Sequence, residues 1–364
     1  MRRMMILTEG KLGVFSSKTA TSLVRYCAPE VVCVLDSKAA RSGKSLEDFI
    51  GVGRGIPIVK SVREGLKYRP TQLVIGIAPV GGQLPAPWRK TLLEGIGAGL
   101  DIVNGLHLVL GDDAELAALA RKKKVRLFDV RVPPPGVGVA LDKLRRLKQR
   151  RIAVVGSDCS VGKMVTALEV DRVLRERGWD SEFIATGQTG ILIAGSGIAT
   201  DHVLSDYVNG ATEQLCWERR KRQVVVIEGQ GSVYHPAYSA VTVGMLHGAM
   251  PHGMLFAHAP LRTRIGHYEQ FAIPPLPQAI RLVEDLTAPI FPAKVLAVAL
   301  NTVGMSDAEA DRAVAETESA TGLPACDPVR HGAGKLVDAV ETVLTFSAAE
   351  PRRKKRNWRL KNEN

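Results

Sequence analysis

Residues 151–170 read RIAVVGSDCSVGKMVTALEV. Ile152, Ala153, Val154 and Val155 form a short apolar run that ends in Gly156. A small polar loop follows, then Gly162-Lys163, and beyond Met164 the apolar residues recur with a helical period. Strand, glycine-bounded loop and helix in this order are what a phosphate-binding loop requires. The first N–H groups of a helix have no partner within it, and its dipole favours negative charge there. Lys163 adds a mobile cation. Gly156, Ser157, Asp158, Cys159, Ser160, Val161, Gly162, Lys163 and Met164 are thus the expected binding segment for a phosphate-bearing cofactor. Two features depart from the common G-x-x-x-x-G-K-[ST] pattern. Five residues, not four, separate Gly156 from Gly162, and Met164 stands where a Ser or Thr would ligate Mg²⁺. A thioether is a poor ligand for a hard cation. The loop should bind phosphate, while Mg²⁺-assisted γ-phosphoryl transfer lacks one of its usual parts.

Working outward, the same strand–helix rhythm fills the chain. Before the loop, apolar runs predict strands at 4–8, 31–36, 56–59, 73–78, 101–103 and 125–130, with helices at 18–27, 88–99 and 113–123. After it, strands are expected at 152–155, 182–185, 224–227, 253–257 and 295–300. The matching helices are expected at 163–175, 202–216, 277–286, 307–321 and 335–346. Such alternation argues for parallel sheets covered by helices. The run Val132-Pro133-Pro134-Pro135-Gly136 breaks any regular element. The expected architecture is therefore α/β in two domains. Residues 1–136 form a Rossmann-like parallel sheet, residues 137–350 a doubly wound sheet of the P-loop NTPase kind, and residues 351–364 a basic tail.

In an open α/β sheet, ligands bind beyond the carboxyl ends of the strands. That rule singles out Gln188, in the segment ATGQTG, and Glu228, in EGQGS. A carboxylate at a strand end beside glycines can serve as a ligand to Mg²⁺-bound water or as a general base. His235, in YHPAY just after that loop, is the second acid–base candidate. Arg262 and Arg264 follow another expected strand end and are candidates for holding a substrate carboxylate bidentately. Ala78-Pro79-Val80-Gly81-Gly82 is a further contact candidate in the first domain. Gly51, Gly53 and Gly55 precede a strand instead of following one, so they make a weak dinucleotide signal. Six of the eight histidines lie between His202 and His267, with no metal-ligand spacing, and no metal site is expected.

Composition narrows the classes. The chain has 364 residues, 45% hydrophobic and 24% charged, an ordinary globular mix. It offers no apolar stretch of membrane-spanning length and no recognisable signal peptide. Five widely spaced cysteines without a C-x-x-C suit reduced thiols in a cytoplasm. The net charge is +12, and residues 351–364 carry seven basic residues against one acidic. That tail is read as a solvated end more than as a nucleic-acid contact. The remaining positive charge suits an enzyme with anionic ligands. A homo-oligomer is expected.

The segments GSDCSVGKMVTALEV, ATGQTGILIAGSGIATDHVLSDYVNGA and VVVIEGQGSVYHPAYSAVTVGMLHG, with APVGGQLPAPWR in the first domain, resemble the D-glutamate N-acetyltransferase family. This is a two-domain P-loop family long described only as a domain of unknown function. The resemblance covers nearly the whole chain except the basic tail, and Met164 matches the family's own loop. It implies transfer of an acetyl group from acetyl-CoA to the amine of D-glutamate, an acidic small molecule, in D-amino acid breakdown. The phosphates of coenzyme A give the loop a ligand with no γ-phosphate to transfer. The roles of Glu228 and His235 rest on position. The loop also resembles that of dethiobiotin synthetase, which carries Thr at the position of Met164. Two readings therefore stay open at this stage: an ATP- and Mg²⁺-dependent ligase or kinase, and a nucleotide-binding regulatory protein.

Overall fold

A computed structural model describes residues 2–14, 16–77 and 82–344. The basic tail and residues 78–81 of the glycine candidate lie outside the described residues. Each apolar run of the first domain forms a strand: β1 Met4–Leu7, β2 Val31–Leu35, β3 Ile58–Val59, β4 Gln72–Ile75, β5 Asp101–Asn104 and β6 Leu127–Asp129. They are all parallel, in the order β3-β2-β1-β4-β5-β6. This is the Rossmann order, whose switch point lies between β1 and β4.

The second sheet contains β7 Arg150–Gly156, β8 Ser181–Ile184, β9 Val224–Ile227, β10 Gly253–His258, β13 Val295–Leu300 and β14 Ala325–Cys326. Between β10 and β13 the chain forms a separate hairpin, β11 Arg264–Ile265 and β12 Tyr268–Ala272. The main sheet is parallel, in the order β14-β13-β10-β7-β9-β8. β7 is flanked by β10 on one side and β9 on the other. Its carboxyl end is the switch point, so the loop of residues 157–162 opens where a doubly wound fold places its ligand. The expected class, a Rossmann-like sheet followed by a P-loop domain, is the observed one.

Four helices that the sequence reading left out are present: Leu46–Ile50, Val62–Gly65, Gln188–Ala194 and Ser239–Ala249. The single helix expected over 202–216 is instead two short 3₁₀ turns, Thr200–His202 and Ser205–Tyr207, followed by a helix over Val208–Glu218. Val203 and Leu204 are extended, which interrupts any continuous helix there.

The two domains share an apolar core. One cluster runs from Ile6, Leu23, Val24 and Val74 of the first domain to Val154, Val170 and Ile191 of the second. Polar links cross the same face. Thr19 and Thr189 hydroxyls are 3.0 Å apart, and the Arg2 guanidinium donates to the Leu192 carbonyl at 2.6 Å. The loop after β7 therefore lies next to the first domain. Among the described residues no helix is long and apolar enough to cross a membrane.

Candidate active site

The loop is built by its own backbone. Gly162 caps the start of the helix Lys163–Glu176 with φ 108°, a left-handed conformation that L side chains rarely adopt. Ser160 also has positive φ, at 57°. Val161 is buried in the core and Ser157 Oγ lies 2.9 Å from His258 Nδ1. Burial pushes that histidine down to about 4, so it is neutral at ordinary pH. Lys163 is buried, and its Nζ donates to the Asp158 carbonyl at 2.7 Å. Met164 is half-buried and packs against the core shared by the two domains.

Asp158 is fully buried and committed. Its carboxylate accepts from the backbone N–H of Cys159 at 2.6 Å, from that of Gly266 at 2.8 Å and from Arg262 Nη1 at 3.0 Å. The same Arg262 nitrogen also donates to the Cys159 carbonyl at 2.6 Å. Arg262 thus braces the loop, with the rest of its guanidinium left for an anion. Arg264 does not join it: its side chain is exposed on β11 and reaches the Glu269 carbonyl of the same hairpin at 3.4 Å. The two arginines do not form one fork.

Glu228 follows β9 directly beside the loop and is buried. Its Oε2 accepts the backbone N–H groups of Thr186 at 3.0 Å and Gly187 at 3.1 Å. Burial outweighs those bonds and pushes the carboxyl up to about 7, with Asp201 adding to the rise and Lys163 opposing it. His235 is buried as well. Its Nδ1 accepts from the Ala237 N–H at 3.2 Å, and its ring packs on Tyr238 and Tyr268 with centroids 4.5 and 5.1 Å away. Burial lowers its pKa, against the pull of Asp158 and the Gly266 backbone. It lies close to the loop: ligand atoms of Asp158, Cys159 and His235 all fall within 4.8 Å of one another. With Arg262 already on the Asp158 carboxylate, that trio is a poor cradle for a cation.

Gln188 starts the helix Gln188–Ala194, where its Oε1 accepts from Arg131 Nη2 at 2.8 Å. Arg131 arrives from the first domain, just past β6. It also donates from Nε to the Gly105 carbonyl at 2.8 Å and pairs with Asp201. Asp201 Oδ1 is buried without a partner. Lys18, at the first position of the helix Lys18–Tyr26, reaches Ser160 Oγ at 3.1 Å. Lys18, Arg131 and Asp201 stand beside the candidate site residues Ser160 and Gln188, and sequence reasoning did not single them out. Only the chain fold brings them to the loop, and the one local hint, Ser17-Lys18-Thr19 after a first strand, is short.

A family described as DUF1611, a domain of unknown function, matches through both of its parts: its Rossmann-like domain at residues 39–133 and its P-loop domain at residues 138–337. A D-glutamate N-acetyltransferase from Tritonibacter scottomollicae is 38% identical over 299 residues, covering 80% of this chain and 88% of that protein. One from a Pseudoalteromonas species is 36% identical over 280 residues, covering 76% of this chain and 83% of that protein. The crystal structure of a DUF1611 family protein from Anabaena variabilis ATCC 29413 superposes with a TM-score of 0.89 at 39% identity, covering 94% of this chain and all of that one. The chain therefore belongs to the DUF1611 family, the two-domain proteins that include the D-glutamate N-acetyltransferases, and it is an acyltransferase.

Proposed function

We propose that this acyltransferase moves an acetyl group directly from acetyl-CoA to the amine of D-glutamate. The observation that carries the reading is Glu228, a buried carboxyl pushed up to about 7 beside a phosphate-binding loop. An amine attacks a thioester only after its ammonium has lost a proton, and a base works best with a pKa near the working pH. Glu228 is the group we assign to take that proton. The amine nitrogen then bonds to the acetyl carbon, the C–S bond breaks, and the coenzyme A thiolate leaves and takes up the second proton that the nitrogen sheds on becoming an amide. The loop suits the donor: backbone N–H groups, Lys163 and the outer edge of Arg262 offer positive charge to phosphate. Met164, packed into the core, offers no oxygen to a Mg²⁺ ion, which favours a donor whose phosphates are held and not transferred.

His235 fits a supporting place better than that of the base, since Nδ1 is taken by a backbone N–H and the ring is buried between tyrosines. Cys159 is half-buried, and burial raises its thiol, so the thiolate an acetyl-enzyme would need is disfavoured. We place the reaction in D-amino acid breakdown in the cytoplasm, a reading supported by five cysteines that are all free thiols. Exposed apolar side chains along the connection between the domains, Val132, Val139 and Leu141, support a homo-oligomer. The deciding experiment is thiol release from acetyl-CoA against a panel of D- and L-amino acids. Release with D-glutamate is expected. Turnover of ATP with Mg²⁺ and no thiol release with any amino acid would overturn the reading.

A further inference from the structure

Two ammonium groups meet at the loop from different domains, and each is hydrogen-bonded to a neutral oxygen. Lys163 donates to the Asp158 carbonyl and Lys18 to the Ser160 hydroxyl. The carboxylate between them in sequence, Asp158, is already occupied by Arg262 and two backbone N–H groups. Lys163 is buried, and desolvation together with the nearby Lys18 lowers its pKa, whereas Lys18 stands exposed at the edge of the loop. Glu228 favours the charged form of both lysines and Asp201 that of Lys18, but neither ammonium is hydrogen-bonded to a carboxylate, which leaves both open to an anion.

The helix that carries Lys18 is held against the second domain by its other residues, so the root of the side chain is placed by the fold. The helix Lys18–Tyr26 is tied at both ends to the loop and helix that follow β7. At its start Lys18 reaches Ser160, and further along Tyr26 Oη donates to Glu169 Oε1 at 2.9 Å. Thr19 and Thr189 clamp the first turn to a third helix. The first helix begins after β1, the central strand of the Rossmann sheet, and the second after β7.

We propose that Lys18 is a second phosphate-binding lysine of the loop, supplied by the first domain, so that a pyrophosphate group is held between the two domains. This rests on reading residues 157–163 as a phosphate site, but not on the identity of the donor. The pyrophosphate oxygens take over the contacts now made by the Asp158 carbonyl and the Ser160 hydroxyl, and each ammonium gains a charged partner.

Calorimetric titration of the full chain tests this, with inorganic pyrophosphate, coenzyme A and ATP as probes. Lys18→Met should weaken pyrophosphate and coenzyme A binding by about ten- to a hundredfold, the range of one charge-assisted contact. Lys18→Arg should recover most of the loss, and the KM for the amine should move little. Unchanged affinity for pyrophosphate in a folded Lys18→Met protein overturns the proposal. Equal losses in the Met and Arg variants, together with a lowered melting temperature, would make Lys18 a structural residue and overturn it too. A wild type that binds ATP and pyrophosphate but not coenzyme A removes the donor assignment alone, and the Lys18 proposal is then judged on pyrophosphate. A wild type that binds none of the three removes both.

Discussion

Glu228 shows what a single buried carboxyl does to both chemistry and stability. Its pKa in the fold is about 7, against an ordinary 4.5. The folded protein therefore keeps this proton to higher pH than the unfolded chain does. Stability falls as pH rises from about 4.5 to about 7, by about 3 kcal/mol in all, and stays reduced above that. Glu228→Gln removes the penalty. The variant should unfold at a higher temperature than wild type at pH 8, with the gap closing toward pH 5. Its turnover should fall by about 10²–10⁴-fold, as expected for a lost general base. In the wild type, the rate should rise through pH 7 as the carboxylate forms. A Gln variant with near-normal turnover would move the base elsewhere, and scanning calorimetry at the two pH values checks the stability half separately. Lys163→Ala should weaken coenzyme A by about ten- to a hundredfold in a folded protein, which titration reads directly. Glu228 and Lys163 were both legible in the sequence, because each sits at a strand end or loop whose neighbours announce it. Arg131 and Asp201 were not: they lie 70 positions apart and are brought together by domain packing.

The elements divide along the same physical line. All eleven expected strands are present: most are buried on both faces and so are written as continuous apolar runs, while the edge strands β3 and β6 are shorter and partly exposed. The hairpin β11–β12 escaped notice because most of it is exposed and its sequence, RIGHYEQFA, has no such run. The helix Ser239–Ala249 escaped for the opposite reason. It packs against the helix Val208–Glu218, the helix Leu276–Thr287 and β7, so its apolar residues show no clear one-sided stripe. The connection between the domains is also ordered by contacts that no local pattern reveals. Buried Glu213 accepts the N–H groups of Leu141 at 2.8 Å and Lys143 at 2.7 Å. Gly210, one turn earlier on that helix, leaves room for the Gly138 carbonyl, which a Cβ there would approach to 1.8 Å. Gly210→Ala should force the connection off the helix and cost about 1–3 kcal/mol, the range for overpacking. Thermal unfolding measures it, and an alanine variant as stable as wild type would mean the connection shifts freely.

At the scale of the whole molecule, the site exists only while the two domains stay docked. Arg131 is the polar centre of that docking. Its side chain is 8% exposed against 25% for Asp201, and it makes one bond within its own domain, to Gly105, and two across the boundary, to Asp201 and Gln188. Removing one partner of a buried pair leaves the other uncompensated, which costs about 3–5 kcal/mol. Arg131→Met should therefore lower the urea midpoint strongly, and most of the loss should come from stranding Asp201, whose Oδ1 already lacks a partner. The double variant Arg131→Met with Asp201→Asn separates the causes. If the stranded charge dominates, adding Asp201→Asn to Arg131→Met should restore part of the midpoint, although Asp201→Asn alone lowers it. If the two losses simply add, Arg131 acts through its own packing and through Gln188, and the charge argument fails. Coenzyme A affinity supplies a second readout. Lys18 rides on the same domain as Arg131, so loosened docking should weaken the donor in Arg131→Met and recover in step with stability in the double variant.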